Sequence, residues 1–306
     1  MYHQAVLLKE SVDLLAIKPD GIYVDVTFGG GGHTKEILSR LGHGKLIAFD
    51  RDQDARRNLP DDDRLIFVPQ DFKFIENALQ AHNIGLIDGL LADLGVSSHQ
   101  FDTPERGFSF RFDGPLDMRM NQNQSLTAEE LVNTSEAGDL IHWFRTYGEI
   151  ANAPKLAREL IQARTMARIK TTAQFEQAIH RCIPPKRRAK YLAQVYQALR
   201  ILVNRELESL ESLLLASPNL LKTGGRLVII AYHSLEDRMV KRFMRSGNLE
   251  GKLEKDFYGN PITPWKRINR RAIQPSETEI SANPRARSAR LRAAERIETK
   301  TEKSND

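Results

Sequence analysis

The chain has 306 residues, of which 41% are hydrophobic and 28% charged, and it carries a formal net charge of +5. That length allows one large domain or two, the apolar fraction supports a real core, and the lack of any long uncharged apolar run excludes a membrane span. The single cysteine, Cys182, cannot form an internal disulfide and lies in no metal-ligand spacing, so a reducing cytoplasm and no bound metal are expected.

Near the start, Val6-Leu7-Leu8 is interrupted at once by Lys9 and Glu10, which is not the pattern of a secretory signal. Short apolar runs at residues 23–28, 46–50, 65–69 and 87–94 then read as strands buried on both faces of a parallel sheet. Helices are expected between them at 35–41 and 75–82, giving a doubly wound half-fold.

The first strand breaks into Phe28-Gly29-Gly30-Gly31-Gly32-His33, and the second ends on Asp50. Consecutive glycines leading into a helix let backbone N–H groups approach a ligand closely, and an acid closing the next strand can accept both hydroxyls of a ribose. A dinucleotide fingerprint would need a third glycine where Thr34 or Lys35 stands, so the register disfavours NAD. S-adenosylmethionine has no pyrophosphate to cradle and suits this loop better. Asp25 on the first strand is then expected near the methionine amino group, with Thr27 where such loops often carry glycine.

The fourth strand runs into Asp93-Leu94-Gly95-Val96-Ser97-Ser98. Open α/β sheets place reactive groups at this carboxyl edge, where Asp93 can hydrogen-bond a cofactor amine or a substrate donor; a loop anchor or helix cap is the alternative. From about 101 to 185 helical signatures take over. Thr127-Ala128-Glu129-Glu130 and Thr171-Thr172-Ala173-Gln174 read as capping boxes, and Leu140, Trp143, Phe144 and Tyr147 recur on one apolar face, read as core. One long helix is expected from 186 to 215, before a strand over 224–230, so the helical segment is inserted between the fourth and fifth strands.

Cationic residues concentrate late in the chain. Trp265-Lys266-Arg267 and Arg270-Arg271 are expected in a loop, and Arg285, Arg287, Arg290 and Arg292 form a candidate phosphate-contacting strip.

The residues Phe28-Gly29-Gly30-Gly31-Gly32-His33, Asp93-Leu94-Gly95-Val96-Ser97-Ser98, Arg106-Gly107-Phe108-Ser109-Phe110, Leu116-Asp117-Met118-Arg119-Met120, Tyr232-His233-Ser234-Leu235-Glu236-Asp237-Arg238 and Asn283-Pro284-Arg285-Ala286-Arg287-Ser288 occur in order. Together, from His3 to about Arg296, they resemble the bacterial RsmH family, also called MraW. The resemblance implies a Rossmann-like S-adenosylmethionine-dependent methyltransferase sheet with an inserted all-helical subdomain. It also implies methylation of N4 of a cytidine in the decoding region of 16S rRNA, as free RNA or in the small ribosomal subunit.

By motif, cofactor contacts are expected at Gly31, Gly32, His33, Asp50, Phe72, Asp93 and Gln100. Asp50 suits the ribose and Phe72 the adenine face, whereas His33 and Gln100 rest on the resemblance. Asp93 is the first candidate for the N4 hydrogen bond. His233, as proton acceptor or base contact, is the second, with a structural tie to Asp237 as its alternative. The expected domains are 1–105 with 210–306 for methyl transfer and 106–209 for substrate recognition. The residues from Arg106 to Met120 are the place to look for contacts to the flipped base, unless Phe108 and Phe110 only pack. A methyltransferase for another nucleobase or a protein side chain, or a non-catalytic ribosome-assembly factor, remain alternatives, and oligomeric state stays open.

Overall fold

The computed structural model describes residues 5–298, so His3 lies outside the described residues. The chain divides into two compact units: residues up to Gly95 together with those from Leu207 onward, and Val96–Glu206 between them. The breaks at 95/96 and 206/207 replace the expected ones at 105/106 and 209/210. The first unit therefore ends right after the fourth strand, before the serine-containing turn.

The first unit is built on a seven-stranded sheet. Its strands are β1 (Ile22–Asp25), β2 (Lys45–Phe49), β3 (Leu65–Val68), β4 (Ile87–Asp93), β5 (Leu221–Ala231), β6 (Trp265–Arg267) and β7 (Arg290–Arg296). They lie in the order β3-β2-β1-β4-β5-β7-β6. β1 to β5 run parallel, with Val24 beside both Ile47 and Leu90 and with Leu91 beside Val228. β7 is antiparallel to β5 and to β6. Two strands were thus hidden in the sequence: β6 falls in the expected loop, and β7 takes up the second half of the expected arginine strip.

The near-continuous apolar strands are explained by their two buried faces. Val24, Leu90, Ala92, Leu227 and Ile229 point to one core, while Tyr23, Leu91, Val228 and Ile230 point to the other. Helices α1 (Leu8–Leu15) and α2 (Gly32–Arg40) cover the second face through Val12, Leu15, Ile37 and Leu38. Helix α3 (Ile75–Ala81) covers the first face through Ile75 and Leu79.

The second unit is helical: α4 (Ser98–Asp102), α5 (Ala128–Thr134), α6 (Ala137–Thr146), α7 (Ala153–Met166), α8 (Thr172–Ile179) and α9 (Arg188–Asn204). Thr171 and Gln174 form a reciprocal capping box at α8. Thr127 caps α5, but Glu130 turns to Arg168 at 2.8 Å instead of reaching back. Leu140 and Phe144 are buried in this unit's core, with Trp143 and Tyr147 packed against it. Phe108 is buried in the same core and Phe110 meets Tyr196 edge-on at 5.6 Å, so both aromatics pack. The Arg106 guanidinium donates to the carbonyls of Arg119 (2.9 Å) and Met120 (3.1 Å), and Asn204 accepts from the Met120 amide at 2.7 Å. The matching segments at 106–110 and 116–120 are thereby stitched into one loop framework.

The expected single helix over 186–215 is two. α9 ends at Arg205, whose φ of 48° is left-handed, and α10 (Glu206–Leu220) follows. Helix α10 returns the chain to the sheet, burying Leu210, Leu213 and Leu214 on the face of α3. α11 (Ser234–Ser246) adds Val240, Phe243 and Met244 to that face, and the short α12 (Glu277–Ala282) precedes β7.

Candidate active site

The carboxyl ends of β1, β2, β4 and β5 present Thr27, Asp50, Asp93 and Tyr232 along one edge of the sheet. Parallel strands bring this about, because every one of them leaves the core at the same side.

Asp25, wholly buried, does not reach outward as expected. Its carboxylate accepts from the Thr27 amide at 3.0 Å and from Thr34 Oγ1 at 2.8 Å, so it braces the turn between β1 and α2 from within. Burial pushes its pKa up against those hydrogen bonds. Thr27, the departure from glycine, accepts from the Asp93 amide at 2.6 Å and thus ties this turn to the end of β4.

Asp50 holds the glycine turn. Its Oδ2 accepts from the Gly29 amide at 2.7 Å and its Oδ1 from the Asp52 amide at 2.8 Å. Desolvation raises its pKa to about 6, opposed by those two backbone bonds. Gly31 has a φ of 76°, and a Cβ there would sit 3.1 Å from the Phe28 ring. A Cβ on Gly32 would sit 2.8 Å from Ala5 Cβ. Packing against the protein's own Phe28 and Ala5 therefore disfavours side chains at both positions.

Asp93 is the convergence point. Tyr232 Oη donates to its Oδ1 at 2.8 Å, and His33 Nδ1 stands 3.8 Å from its Oδ2. The His33 Nε2 donates to the Val6 carbonyl at 3.2 Å, which leaves Nδ1 as a lone-pair nitrogen facing the carboxyl group. Burial lowers the His33 pKa, keeping the ring neutral near pH 7. Only 21% of the Asp93 side chain is exposed, and desolvation raises its pKa to about 6 against the hydrogen bond from Tyr232.

Other expected site residues take different places. Phe72 follows β3 and opens a short 3-10 turn capped by Asp71, partly buried against the sheet core. Asp71 is itself pinned by Arg51 at 2.9 Å and Ser209 at 3.0 Å. Gln100 belongs to the second unit, where its side-chain oxygen accepts from the Ser97 amide at 3.1 Å and closes the capping box of α4.

His233 is the N-cap of α11. Its Nδ1 accepts from the Glu236 amide at 3.4 Å, while Glu236 Oε2 accepts from the amides of Tyr232 (2.9 Å) and His233 (3.3 Å). The ring is not tied to Asp237, which instead holds Arg292 through bonds of 2.7 and 3.1 Å. Tyr232 and Glu236 were missed as site residues. The signal for Tyr232 was its position, the first residue past β5 on the active edge.

The strand order, the single antiparallel strand, the glycine turn and the acids on one edge define a Rossmann-like S-adenosylmethionine-dependent methyltransferase. The model of the MraW methylase family matches residues 1–297. The chain is 55% identical over 296 residues to ribosomal RNA small subunit methyltransferase H of Bacteroides fragilis strain YCH46, covering 96% of this chain and 97% of that protein. To the protein of the same name from Amoebophilus asiaticus it is 56% identical over 297 residues, covering 96% of each. An rRNA methylase structure from Streptococcus thermophilus is similar at 13% identity and a TM-score of 0.40, covering 94% of this chain and 95% of that one. The chain belongs to the MraW methylase family.

Proposed function

We propose that this enzyme methylates N4 of a cytidine in the decoding region of 16S rRNA, acting in the cytoplasm on the RNA or the assembling small subunit. Relatives sharing over half of its residues bear the name of small-subunit rRNA methyltransferases. Among the described residues no helix is long and apolar enough to cross a membrane. The observation that carries the reading is Asp93: a desolvated carboxylate at the end of β4, oriented by Tyr232 and adjoining the glycine turn held by Asp50.

In this reading Gly31 and Gly32 admit the cofactor closely, Asp50 accepts the ribose hydroxyls and Phe72 packs on the adenine. His33 supports from behind, by holding the N-terminal segment and facing Asp93. When bound, S-adenosylmethionine supplies an electrophilic methyl group on a sulfonium sulfur.

A cytosine N4 is a poor nucleophile because its lone pair is delocalised into the ring. Asp93 accepts one N4–H, fixing the amine's orientation and stabilising the positive charge that develops on nitrogen as the new bond forms. Above pH 6 the carboxylate is ionised and ready for that bond. As the N–C bond forms the methyl–sulfur bond breaks, leaving a neutral thioether, and the N–H, acidic only after transfer, passes its proton to Asp93, so no strong base is required beforehand. His233, committed to the cap of α11, orients Glu236 and through it the Tyr232 backbone.

N4 pairs inside a duplex, so the base must be presented unpaired or turned out. We assign substrate recognition to the helical unit, together with a place for Gln100 in holding the shape of α4. This rests on a cleft of about 490 Å³ lined by Phe110, the exposed Phe112, Arg111 and Arg188. The test is transfer of labelled methyl from S-adenosylmethionine to isolated small subunits lacking the modification. Label recovered as N4-methylcytidine supports the proposal, and label on another base or on a ribosomal protein overturns it.

A further inference from the structure

Between α11 and β6 the chain makes a hairpin-like excursion whose tip carries the two most exposed aromatics among the described large hydrophobic residues. Phe257 is 98% exposed and Tyr258 82%. Exposed rings of this size leave apolar surface in water, and a hydrogen-bonded turn presenting two of them side by side points to a partner.

The scaffold is held by its own hydrogen bonds. Lys255 and Pro261 form an antiparallel bridge, and the Asp256 amide donates to the Asn260 carbonyl at 2.9 Å. Asp256 Oδ1 accepts from the amides of Tyr258 (3.0 Å) and Asn260 (2.8 Å), so this acid is spent on the turn. The root is fastened to α11 by Arg245, which donates to the Gly251 carbonyl at 2.7 Å, and is closed on itself just past the helix, where Asn248 donates to the Lys252 carbonyl at 2.7 Å. The rings meet edge to face, with centroids 5.5 Å apart and planes at 87°, and both are largely exposed.

We propose that this tip is a stacking platform for unpaired bases of the RNA substrate away from the methylated one, because Trp265 pairs with Arg296 and Arg226 with Glu295, so the hairpin springs from the end of the sheet opposite the methyl-transfer edge; the proposal rests on the rRNA reading above. Charge selects the partner. The elements on either side expose Lys241, Arg242 and Arg245 on α11 and Lys266 and Arg267 on β6, and Phe243 of α11 packs against Trp265 of β6 at 6.1 Å. Aromatic faces rising between two cationic elements fit a single strand, whose bases stack while its phosphates meet the cations. Glu250 and Glu254 at the hairpin's root oppose a broad anionic membrane surface more than a strand that touches only the tip.

The test compares wild type with the full-length double variant Phe257→Ala/Tyr258→Ala and with the conservative pair Phe257→Tyr/Tyr258→Phe, binding 16S rRNA at several salt concentrations. The alanine pair should bind RNA about ten-fold or more weakly, from the loss of stacking. The slope of log affinity against log salt should not change, because no phosphate contact is lost. Cofactor affinity and melting temperature should stay at wild-type values, and the conservative pair should bind RNA as wild type does. Unchanged RNA affinity in the alanine pair overturns the proposal. So does unchanged RNA affinity coupled with lost binding to phosphatidylglycerol vesicles, which would assign the tip to a membrane. A wild type that neither binds nor methylates the rRNA overturns both this proposal and the rRNA reading, whereas normal methylation with an indifferent tip overturns this one alone.

Discussion

The Tyr232 hydroxyl donates to Asp93 Oδ1 at 2.8 Å, joining the residue just past β5 to the last residue of β4 across the carboxyl edge of the sheet. A hydrogen bond to the charged form of a carboxylate lowers its pKa and fixes which oxygen lone pairs remain for substrate. Tyr232→Phe should therefore raise the Asp93 pKa further above 6 and weaken the oriented acceptor by about 1 kcal/mol. The acid limb of the kcat/KM profile should move to higher pH, so that the variant loses more activity at pH 6 than at pH 8.5. An equal loss at both values would make Tyr232 a packing residue.

Asp93 also sets a trade between stability and function. Its folded pKa of about 6 lies above the ordinary 3.8, so the folded chain holds this proton more tightly than the unfolded chain between those values. Stability from this group is greatest below pH 4 and is lost as pH rises through 6. Asp93→Asn should thus melt higher than wild type at pH 8, by a free energy of about 1–2 kcal/mol after allowing for partial exposure, and the gap should close below pH 4. Methyl transfer should collapse at every pH. Thermal scans across pH, alongside turnover, check both halves.

In the proposed reading Asp50 holds a ribose as well as the glycine turn, which makes its alanine variant less clean than a ribose contact alone would suggest. Cofactor affinity should fall by roughly 1–3 kcal/mol, the range for losing a hydrogen bond to a charged group. The Gly29 and Asp52 amides also lose their acceptor, so a drop of a few degrees in melting temperature is expected as well. In the wild type, calorimetry should show cofactor affinity falling as pH drops below 6, where the carboxylate becomes protonated. Affinity that is flat from pH 5 to 8 would contradict the ribose role.

The arginines of the late basic stretch separate into two kinds. Arg292 is 11% exposed and bound to Asp237, whereas Arg287 is exposed on the 3-10 turn before β7. Arg292→Gln should cost stability, on the order of 1–3 kcal/mol for an uncompensated, largely buried Asp237, and leave the salt slope of RNA binding unchanged. Arg287→Gln should do the reverse, lowering the slope by about one unit if it meets a phosphate. Paired melting and salt titrations distinguish them.

Legibility in the sequence followed burial. The first four strands were readable because residues such as Leu90 and Leu91 are both buried, one on each face, giving runs with no polar interruption. β7 was not, because its arginines sit at strand positions where one is ion-paired to Asp237 and another, Arg296, donates to the Pro218 carbonyl at 2.9 Å. Charge in a sequence does not declare its partner. The same limit applies at the carboxyl edge: the glycine turn and the acid beside it follow from turn chemistry, whereas Asp25 is turned inward by Thr34, nine residues along, on the first turn of α2. The Arg205 break between α9 and α10 carried no glycine or proline to mark it.

Mass spectrometry of 16S rRNA from cells with and without the gene, complemented by wild type or by Asp93→Asn, tests the central claim most directly. The account predicts N4-methylcytidine at one decoding-region position, lost on deletion, restored by wild type and not restored by the variant. An unchanged rRNA modification pattern on deletion would contradict it, as would full restoration by Asp93→Asn.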